Sequence, residues 1–335
     1  MTTAYVALPD RLCRYERDER SGDWTFQTQL EGRRLECLAA DGTEPNRVFA
    51  GTFDHGLFGS LDGGETFDRL ETPFDSEAVT ALAISPHDPE TIYAGTEPSR
   101  VYRTTDGGDS WVRLEGITDL PSEDEWYFPP RPHTHHVRWL TVDPFDPDRL
   151  YVGIEAGAFV RSEDGGETWV ERPEGSRRDN HSLATHPDRE GLVYSAAGDG
   201  FAVSSDGGEH WTHPQSGLEH RYCWSVVADP GDPETVLVSA ASGASTAHSA
   251  DTADSHVYRR HGDEDWQRLE DRGLPTGGGV VRAVFETTGA AGVVYAVTNG
   301  GLFRSTNFGD AWTRIPVEWP NEFTELTPRG LVVLE

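Results

Sequence analysis

Apolar and polar residues alternate in short runs along the whole chain. Val79–Ser85 reads VTALAIS, and Thr91–Gly95, TIYAG, follows it after the turn-forming stretch HDPE. Arg100–Thr104 and Trp111–Leu114 continue the same pattern. Alternation with a period of two, interrupted by Pro, Gly and Asp, indicates half-buried β-strands. This part of the chain therefore predicts one antiparallel sheet of four strands.

A turn motif recurs between the third and fourth strands of such units. Four clear copies are SLDGGETF at Ser60–Phe67, TTDGGDSW at Thr104–Trp111, SEDGGETW at Ser162–Trp169 and SSDGGEHW at Ser204–Trp211. Weakened copies are STNFGDAW at Ser305–Trp312, HGDEDW at His261–Trp266 and SGDW at Ser21–Trp24. The closing aromatic residues lie about 40 to 60 residues apart, a period typical of repeat architectures. The seven copies predict seven four-stranded units.

The motif is similar to the Asp-box (BNR) repeat, S/T-x-D-G-G-x-T-W, of sialidases, xyloglucanases, sortilin-type receptors and photosystem II assembly factors. The resemblance implies a β-propeller in which the motif is structural and lies on the face opposite the ligand site. It therefore marks Asp62, Asp106, Asp164 and Asp206 as turn residues and not as catalytic acids. The chemistry agrees, because Gly adopts positive φ and an Asp side chain accepts hydrogen bonds from nearby backbone N–H groups.

The two ends of the chain predict how the ring closes. Residues 5–30 give three strands without an innermost one, and Arg329–Leu334 gives an innermost strand without a sheet. Joining them removes an exposed sheet edge. We predict one all-β domain over residues 1–335, a single seven-bladed β-propeller with four-stranded blades. The predicted blades are 1–30 plus 327–335, 33–71, 77–115, 135–172, 178–213, 220–269 and 279–316.

The charge of the chain limits the classes of partner that it is expected to bind. The net charge is -30, from 58 acidic and 28 basic residues, and every basic residue is Arg. This composition resembles that of proteins from salt-accumulating halophilic archaea, and phosphates would meet like charge at such a surface, which argues against nucleic acid. No apolar run has the length of a signal peptide or a membrane span. We expect a cytoplasmic monomer without a membrane partner.

Polar residues of unusual chemistry are predicted at one height around the propeller axis. Counting back along the innermost strands from the second strand aligns Glu36, Thr80, Arg138, His181, Trp224 and Arg282, and Arg329 fits the same pattern in blade 1. Buried arginines require anionic partners, and their planar forks suit carboxylate or phosphate. We predict a ligand pocket formed by Arg138, His181, Trp224, Arg282, Arg329, Glu36, His220 and Arg221. The alternative is that these arginines pair with Glu36, Glu97, Glu155 or water.

The same face could also carry catalysis or a metal ion. The catalytic candidates are Glu36, Glu97, Glu155, His181 and Tyr222, and the candidate ligands of a divalent metal are His135, His136, His181 and His220, with Glu155. Two long inserts, 115–136 and 242–256, fall on this face, where long loops are often functional. Arg314-Ile315-Pro316 spells a sialidase signature but lies in a predicted outer strand.

Three functions remain open at this point. The first is a binding or assembly propeller that holds an anionic small molecule or a protein tail. The second is a glycoside hydrolase or lyase acting on an acidic sugar, and the third is a metal-dependent hydrolase using the same pocket. The fold alone does not choose between them.

Overall fold

Seven antiparallel sheets surround one axis in the computed structural model, which describes residues 2–335. The innermost strands of consecutive sheets pack against one another around the complete ring, the last against the first. The predicted seven-bladed β-propeller is confirmed. Short meandering strands explain why the sequence shows period-two alternation throughout.

Blade 1 is built from both ends of the chain. Its strands are Thr3–Leu8, Arg11–Arg17 and Trp24–Gln29, and the innermost strand is Gly330–Leu334. The closing strand runs antiparallel to the first, with Tyr5 opposite Val332. Leu331 and Val333 are buried in the core between blades 7 and 1. Closure therefore provides hydrophobic burial as well as strand pairing.

The other six blades follow the order of the chain. Their strands, from the axis outward, are Leu35–Ala40, Val48–Thr52, Leu57–Ser60 and Asp68–Arg69 in blade 2; Val79–Ser85, Asp88–Thr96, Val101–Thr104 and Val112–Leu114 in blade 3; Val137–Val142, Leu150–Ile154, Ala158–Ser162 and Val170–Glu171 in blade 4; Asn180–Thr185, Val193–Ala197 and Gly200–Ser204 in blade 5; Tyr222–Asp229, Asp232–Ala241, Asp254–His261 and Gln267–Arg268 in blade 6; and Val284–Glu286, Val294–Thr298, Gly301–Ser305 and Thr313–Arg314 in blade 7. In blade 5 the fourth strand is reduced to one pairing, between Val203 and Thr212.

Helical segments are short and lie in the connections. The α-helix Ala244–His248 and the 3-10 helix Ala250–Thr252 belong to the insert of blade 6. After the fourth strand of this blade, Gly277–Gly278 forms a short strand that pairs with the third strand. Further 3-10 helices are Ile117–Asp119, Glu123–Glu125 and Asn321–Glu325. Across residues 2–335, none of the helices is both long and apolar enough to cross a membrane.

The D-G-G turns join third to fourth strands and satisfy their own polar groups. In blade 4, Asp164 accepts hydrogen bonds from the Ser162 hydroxyl and from both the backbone N–H and the hydroxyl of Thr168. The Ser162 hydroxyl oxygen in turn accepts the N–H of Gly166, whose φ is 89°. The same arrangement occurs around Asp62, Asp106 and Asp206. The turn is thus a self-contained hydrogen-bonded unit.

The aromatic residue that ends the turn packs between blades. Trp211 lies edge-on to Phe159 of the preceding blade, with 4.8 Å between ring centroids, and its indole N–H donates to the carbonyl of Gly208. Trp111 makes the same bond to Gly108. The motif therefore links a local turn to the hydrophobic contact between neighbouring blades.

Candidate functional site

A β-bulge aims one residue of most innermost strands toward the axis. In blades 2 to 6 the pairing register of the innermost strand skips a single residue, and the skipped residues are Glu36, Thr80, Arg138, His181 and Trp224. A bulged residue is released from the alternation of the strand and its side chain is redirected. Five of the seven aligned positions thus share one structural cause.

A cavity of about 420 Å³ lies on the axis above these bulges. Its walls come from segments entering the innermost strands and from loops between second and third strands, the ends of the blades opposite the D-G-G turns. The lining residues include Arg34, Glu36, Phe53, Phe128, Arg131, His136, Arg138, Glu155, Asp179, Tyr222, Trp224, His248 and Arg329. Both long inserts contribute, through Phe128–Arg131 and Ala244–His248.

Trp224 is the centre of an aromatic and cationic cluster in the cavity wall. The guanidinium carbons of Arg282 and Arg138 lie 3.9 Å and 4.7 Å from the centroid of its ring. The rings of His181 and His248 lie 4.5 Å and 4.4 Å away, His248 edge-on. Aromatic faces attract cations, so Trp224 stabilises two guanidinium groups that come from different blades.

Arg282 is fully enclosed and lacks a carboxylate partner among residues 2–335. Its exposure is 0 %, its Nε donates to Nδ1 of His248 at 3.1 Å, and its two terminal nitrogens have no hydrogen-bond acceptor within the described chain. Burial, together with the charges of Arg329 and Arg138, lowers the pKa of Arg282 well below the ordinary value. The cluster therefore contains a buried guanidinium group that has no ion-pair partner within the described chain.

Tyr222 and His248 form a hydrogen-bonded pair at 3.0 Å in the same wall. Because Arg282 Nε can only donate, Nδ1 of His248 must accept, and Nε2 of neutral His248 then carries the proton and donates to the Tyr222 oxygen. Burial and the charge of Arg282 lower the pKa of His248 to about 2, so the neutral form persists. The hydroxyl proton of Tyr222 is thereby left available to a ligand.

Two of the acidic groups that line the cavity, Glu155 and Asp179, are neighbours. The Glu155 carboxylate accepts a hydrogen bond from Nε2 of His136 at 3.0 Å and lies 3.7 Å from Nε of Arg138. Burial opposes ionisation, but the His136 hydrogen bond and the charges of His136, His181 and Arg138 hold the pKa of Glu155 far below its usual range. Burial and the Glu155 charge raise the pKa of Asp179. Two neighbouring carboxyl groups thus have opposite proton affinities.

The mouth of the cavity carries a paired arginine. Arg131, from the insert of blade 4, binds Glu97 through two hydrogen bonds of 2.7 Å and 2.5 Å. Its guanidinium carbon lies 4.6 Å from the ring centroids of both Phe53 and Phe128. Glu97 is therefore held in a closer ion pair with an arginine than Glu155 is with Arg138.

An apolar channel continues along the axis below the cavity. It has a volume of about 290 Å³ and is lined by Leu38, Leu82, Leu140, Val284 and Leu331. Glu36, Thr80, Arg138 and Arg329 line both spaces and so form the floor of the cavity. Further down, burial raises the pKa of Glu286 to about 8.

The structure does not bring all the predicted residues to the cavity. His220 lies farther out, stacked on His256 at 4.3 Å and hydrogen-bonded to the hydroxyl of Tyr258, and Arg221 is exposed. His135 binds Glu123 and faces Trp126 within the insert of blade 4. The prediction placed His220 and Arg221 beside the axis because they precede an innermost strand, but the chain runs outward before that strand begins.

Sequence reasoning also missed residues that the cavity contains. His248 lies in the insert of blade 6, whose length was noted although none of its side chains was singled out. Asp179 precedes the bulged residue of blade 5 by two positions, and Arg34 precedes that of blade 2 by two. Polar residues two positions before the bulge are therefore a feature of the sequence from which these cavity residues could have been predicted.

A second cavity of about 460 Å³ lies at the outer side of blades 7 and 1. Its polar residues satisfy one another: Tyr295 donates to Glu335, and Arg304 donates to Tyr295. Arg314 of the R-I-P tripeptide lines this peripheral space, far from the axis. Although it is larger, its mutual pairing makes it a weaker candidate than the axial cavity.

The fold and cavity define the chain as a closed seven-bladed propeller with a charged axial pocket. No family model matches it. It is 27% identical over 216 residues, 55% of this chain, to the oligoxyloglucan-reducing end-specific xyloglucanase of Emericella nidulans. It is 26% identical over 237 residues, 59% of this chain, to a xyloglucanase of Paenibacillus sp.. The chain spans only 27% and 22% of the length of these curated relatives.

Solved structures of two kinds share the fold. The GH74 xyloglucanase from Xanthomonas campestris superposes with a TM-score of 0.68 at 18% identity, over 97% of this chain and 52% of that enzyme. YCF48 bound to D1 peptide superposes with a TM-score of 0.61 at 13% identity, over 90% of this chain and 92% of YCF48. At these identities the likeness concerns the fold alone.

Proposed function

We propose that the chain binds a carboxylate-bearing ligand, a small anion or the end of a protein tail, in the axial cavity and serves as a binding or assembly protein. The observation that carries the proposal is the uncompensated guanidinium of Arg282 beside Arg138. A buried cation without a counter-charge is costly, and an anion in the adjoining cavity relieves that cost.

The contacts suggest how the anion is held. Arg138 and Arg329 line the cavity and are available for direct hydrogen bonds, while enclosed Arg282 acts through space. The Tyr222 hydroxyl supplies a further donor. Glu155 and Glu36 lie no closer than 3.7 Å and 4.0 Å to Arg138 and Arg329, so neither arginine is held in a tight bidentate pair. A planar carboxylate matches the geometry of a guanidinium fork.

The upper walls fit a ligand longer than a simple ion. Phe53, Phe128 and Pro129 form an apolar rim above the charged floor. YCF48, whose solved complex contains a D1 peptide, has a similar fold and size, which supports a peptide tail as one ligand class. We extend the Asp-box resemblance and its structural turns to this chain, and we expect the acidic, lysine-free surface to operate in concentrated salt.

A thermal-unfolding screen in molar salt tests the proposal. The probes are acetate, citrate, inorganic phosphate, galacturonate and a pentapeptide with a free C-terminal carboxylate. A probe at a hundred times its dissociation constant adds about 2.7 kcal/mol to the free energy of unfolding. We expect at least one carboxylate to stabilise the wild type and to lose this effect in Arg138→Ala.

The matched control is Arg161→Ala. Arg161 belongs to the same blade as Arg138 and is as deeply buried, but it is paired with Glu163 and Glu209 on the opposite face. The control should melt at a lower temperature and keep the ligand effect. If no anion stabilises the wild type, or if the effect survives in Arg138→Ala, the proposal is wrong.

A second candidate function is an enzyme acting on an acidic sugar, and the Tyr222–His248 pair is the observation that favours it. In a lyase reaction, a base removes the proton next to the sugar carboxylate, the adjacent C–O bond breaks, a C=C bond forms, and Tyr222 protonates the leaving oxygen. The arginines would stabilise the charge that develops on the carboxylate. Sequence similarity to two xyloglucanases supports a role in sugar chemistry.

The two functions differ in turnover. Incubation with polygalacturonate should release unsaturated ends that absorb in the ultraviolet if the chain is a lyase, and Tyr222→Phe should abolish the release while galacturonate still binds to the arginines. Binding of a carboxylate without any product from acidic polysaccharides leaves the binding function as the conclusion.

A further inference from the structure

A second group of side chains in the cavity wall has the composition of a metal centre. Oxygens of Glu155 and Asp179 and Nε2 of His181 lie within 4.8 Å of one another. His181 Nε2 is 4.0 Å from a Glu155 oxygen and 3.7 Å from an Asp179 oxygen. Ligand atoms that are each about 2.0–2.2 Å from one transition-metal ion lie at most about 4.4 Å apart, and the two His181 distances fall within this limit.

Each of the three side chains is fixed by an outer contact. The other oxygen of Glu155 accepts from His136, and the other oxygen of Asp179 accepts the backbone N–H of Ala156 at 2.8 Å. Nδ1 of His181 lies 2.6 Å from the carbonyl of Cys223. Metal-binding side chains typically have such outer partners, which orient the inner atoms.

The tautomer of His181 points to a cation. A carbonyl only accepts, so Nδ1 of His181 carries a proton, and Nε2 faces the two carboxylates. That nitrogen is buried, His181 is 1% exposed, and within residues 2–335 it has no hydrogen-bond partner. A lone pair directed between two carboxylate oxygens is repulsive unless a proton or a metal ion lies between them.

A glycine leaves room for this arrangement. A Cβ atom added to Gly198 would lie 1.9 Å from an oxygen of Asp179 and 3.3 Å from the His181 ring. Gly198 follows the second strand of blade 5 and its amide donates to the Asp179 carbonyl. Even an alanine side chain would push the Asp179 carboxylate away from His181.

We propose that Glu155, Asp179 and His181 bind one divalent transition-metal ion, of the Mn²⁺ or Zn²⁺ type, in the wall of the axial cavity. One nitrogen and two carboxylate oxygens suit such ions better than Ca²⁺ or Mg²⁺, which prefer oxygen alone. Blades 4 and 5 supply all three ligands from one side. Glu155 and Asp179 line the cavity, so water or an anion there would complete the shell.

The two other metal-type groups between residues 2 and 335 are less suited. In the group of His220, Asp254 and His256, Nδ1 of His220 already binds the Tyr258 hydroxyl. In the group of Asp206, Glu209 and His210, all three residues are exposed and both oxygens of Asp206 are used within its turn. These groups provide the controls for the proposed site.

The experiment is a titration of the full chain with Mn²⁺ in molar NaCl, followed by the loss of the free-ion electron paramagnetic resonance signal. High salt screens weak binding to the acidic surface. We expect one site per chain in the wild type, competition by Zn²⁺, and loss of the site in His181→Ala and Asp179→Asn. His220→Ala and His210→Ala should bind as the wild type does.

A third variant tests the geometry without removing a ligand. Gly198→Ala should weaken Mn²⁺ binding roughly 10–100-fold, as expected when an inner ligand loses its correct orientation. Melting in EDTA shows whether each variant is folded, and Asp179→Asn, being isosteric, keeps the test valid if His181→Ala does not fold.

No binding of Mn²⁺ or Zn²⁺ to the wild type, or binding that persists in both His181→Ala and Asp179→Asn, overturns the proposal. The first result would mean that a proton lies between His181 and the carboxylates. The metal site goes beyond the proposed anion-binding function. Arg138→Ala leaves all three metal ligands in place, so it tests anion binding alone, and a failure of one proposal can be distinguished from a failure of the other.

Discussion

The pKa values of carboxyl groups are shifted in opposite directions at the D-G-G turns and in the axial channel. Hydrogen bonds from Thr66, with that from Ser60, lower the pKa of Asp62 to about 2. On the axis, burial raises the pKa of Glu286 to about 8. The turn carboxylate finds donors within four residues of itself, whereas the channel carboxyl has no hydrogen bond to another part of the described chain. Local satisfaction marks the turns as structural.

The same contrast holds for the arginines of the two faces. Arg161, near the turns, binds Glu163, Glu209 and the carbonyl of Gly207. Arg282, near the axis, binds only the neutral His248 among residues 2–335. Both terminal nitrogens of Arg282 thus lack an acceptor, whereas Arg161 lacks one only at its Nε, and the unpaired nitrogens near the axis favour ligand binding at the expense of stability.

The largest expected effect comes from removing the unpaired cation. Arg282→Met should raise the free energy of unfolding by about 1–4 kcal/mol, the range for replacing a buried ion pair by apolar residues, because it likewise removes a buried charge. Urea unfolding of the ligand-free protein in molar salt measures it. Arg161→Met should instead destabilise, because it leaves the acceptors of a paired arginine without their donor. Equal losses of stability in Arg282→Met and Arg161→Met would contradict the claim that arginines are paired on one face and unpaired on the other.

The turn face should lose stability when its hydrogen bonds are removed. Ser162→Ala leaves the buried N–H of Gly166 without its acceptor, and we expect a loss of about 1–3 kcal/mol. Asp164→Ala should act in the same direction. Both variants should bind a carboxylate as tightly as the wild type. A Ser162→Ala protein that is equally stable but no longer binds would contradict the structural role of the turn.

The channel carboxyl predicts a pH dependence. The folded pKa of Glu286 lies above the unfolded value, so its neutral form is favoured in the fold and stability falls as pH rises from about 4.5 toward 8. Glu286 remains partly exposed to the channel, which reduces the size of the effect. We therefore expect the free energy of unfolding of Glu286→Gln to rise by about 1–2 kcal/mol relative to that of the wild type between pH 5 and pH 8. A gain that does not change with pH would show that Glu286 is ionised.

The smallest effect concerns His248. Its folded pKa of about 2 lies below the unfolded value, so the stability it contributes is complete above about pH 6.5 and decreases as pH falls. Between pH 7.5 and pH 5.5 the wild type should lose about 1 kcal/mol more than His248→Gln. Parallel losses in the two proteins would mean that His248 is protonated in the fold and that the proposed tautomer is wrong.

The number of blades and the closure of the ring were predictable from the sequence because each blade repeats a local pattern. Strand alternation and the D-G-G turn are each specified within about ten residues. The positions of Arg138 and Trp224 along the propeller axis could also be predicted by counting residues, because the bulges recur at the same place in successive innermost strands. His248 and Asp179 were missed because their positions depend on how an insert and a strand entry fold onto the axis. His220 was misplaced for the same reason.

The most direct measurement is a crystal structure of the protein grown in molar salt with the best carboxylate from the screen. The account predicts electron density for the carboxylate in the axial cavity, with its oxygens about 3 Å from the guanidinium nitrogens of Arg138 and Arg329. Water alone in that cavity, or the carboxylate bound among the D-G-G turns, would contradict the assignment of ligand binding to the axial face.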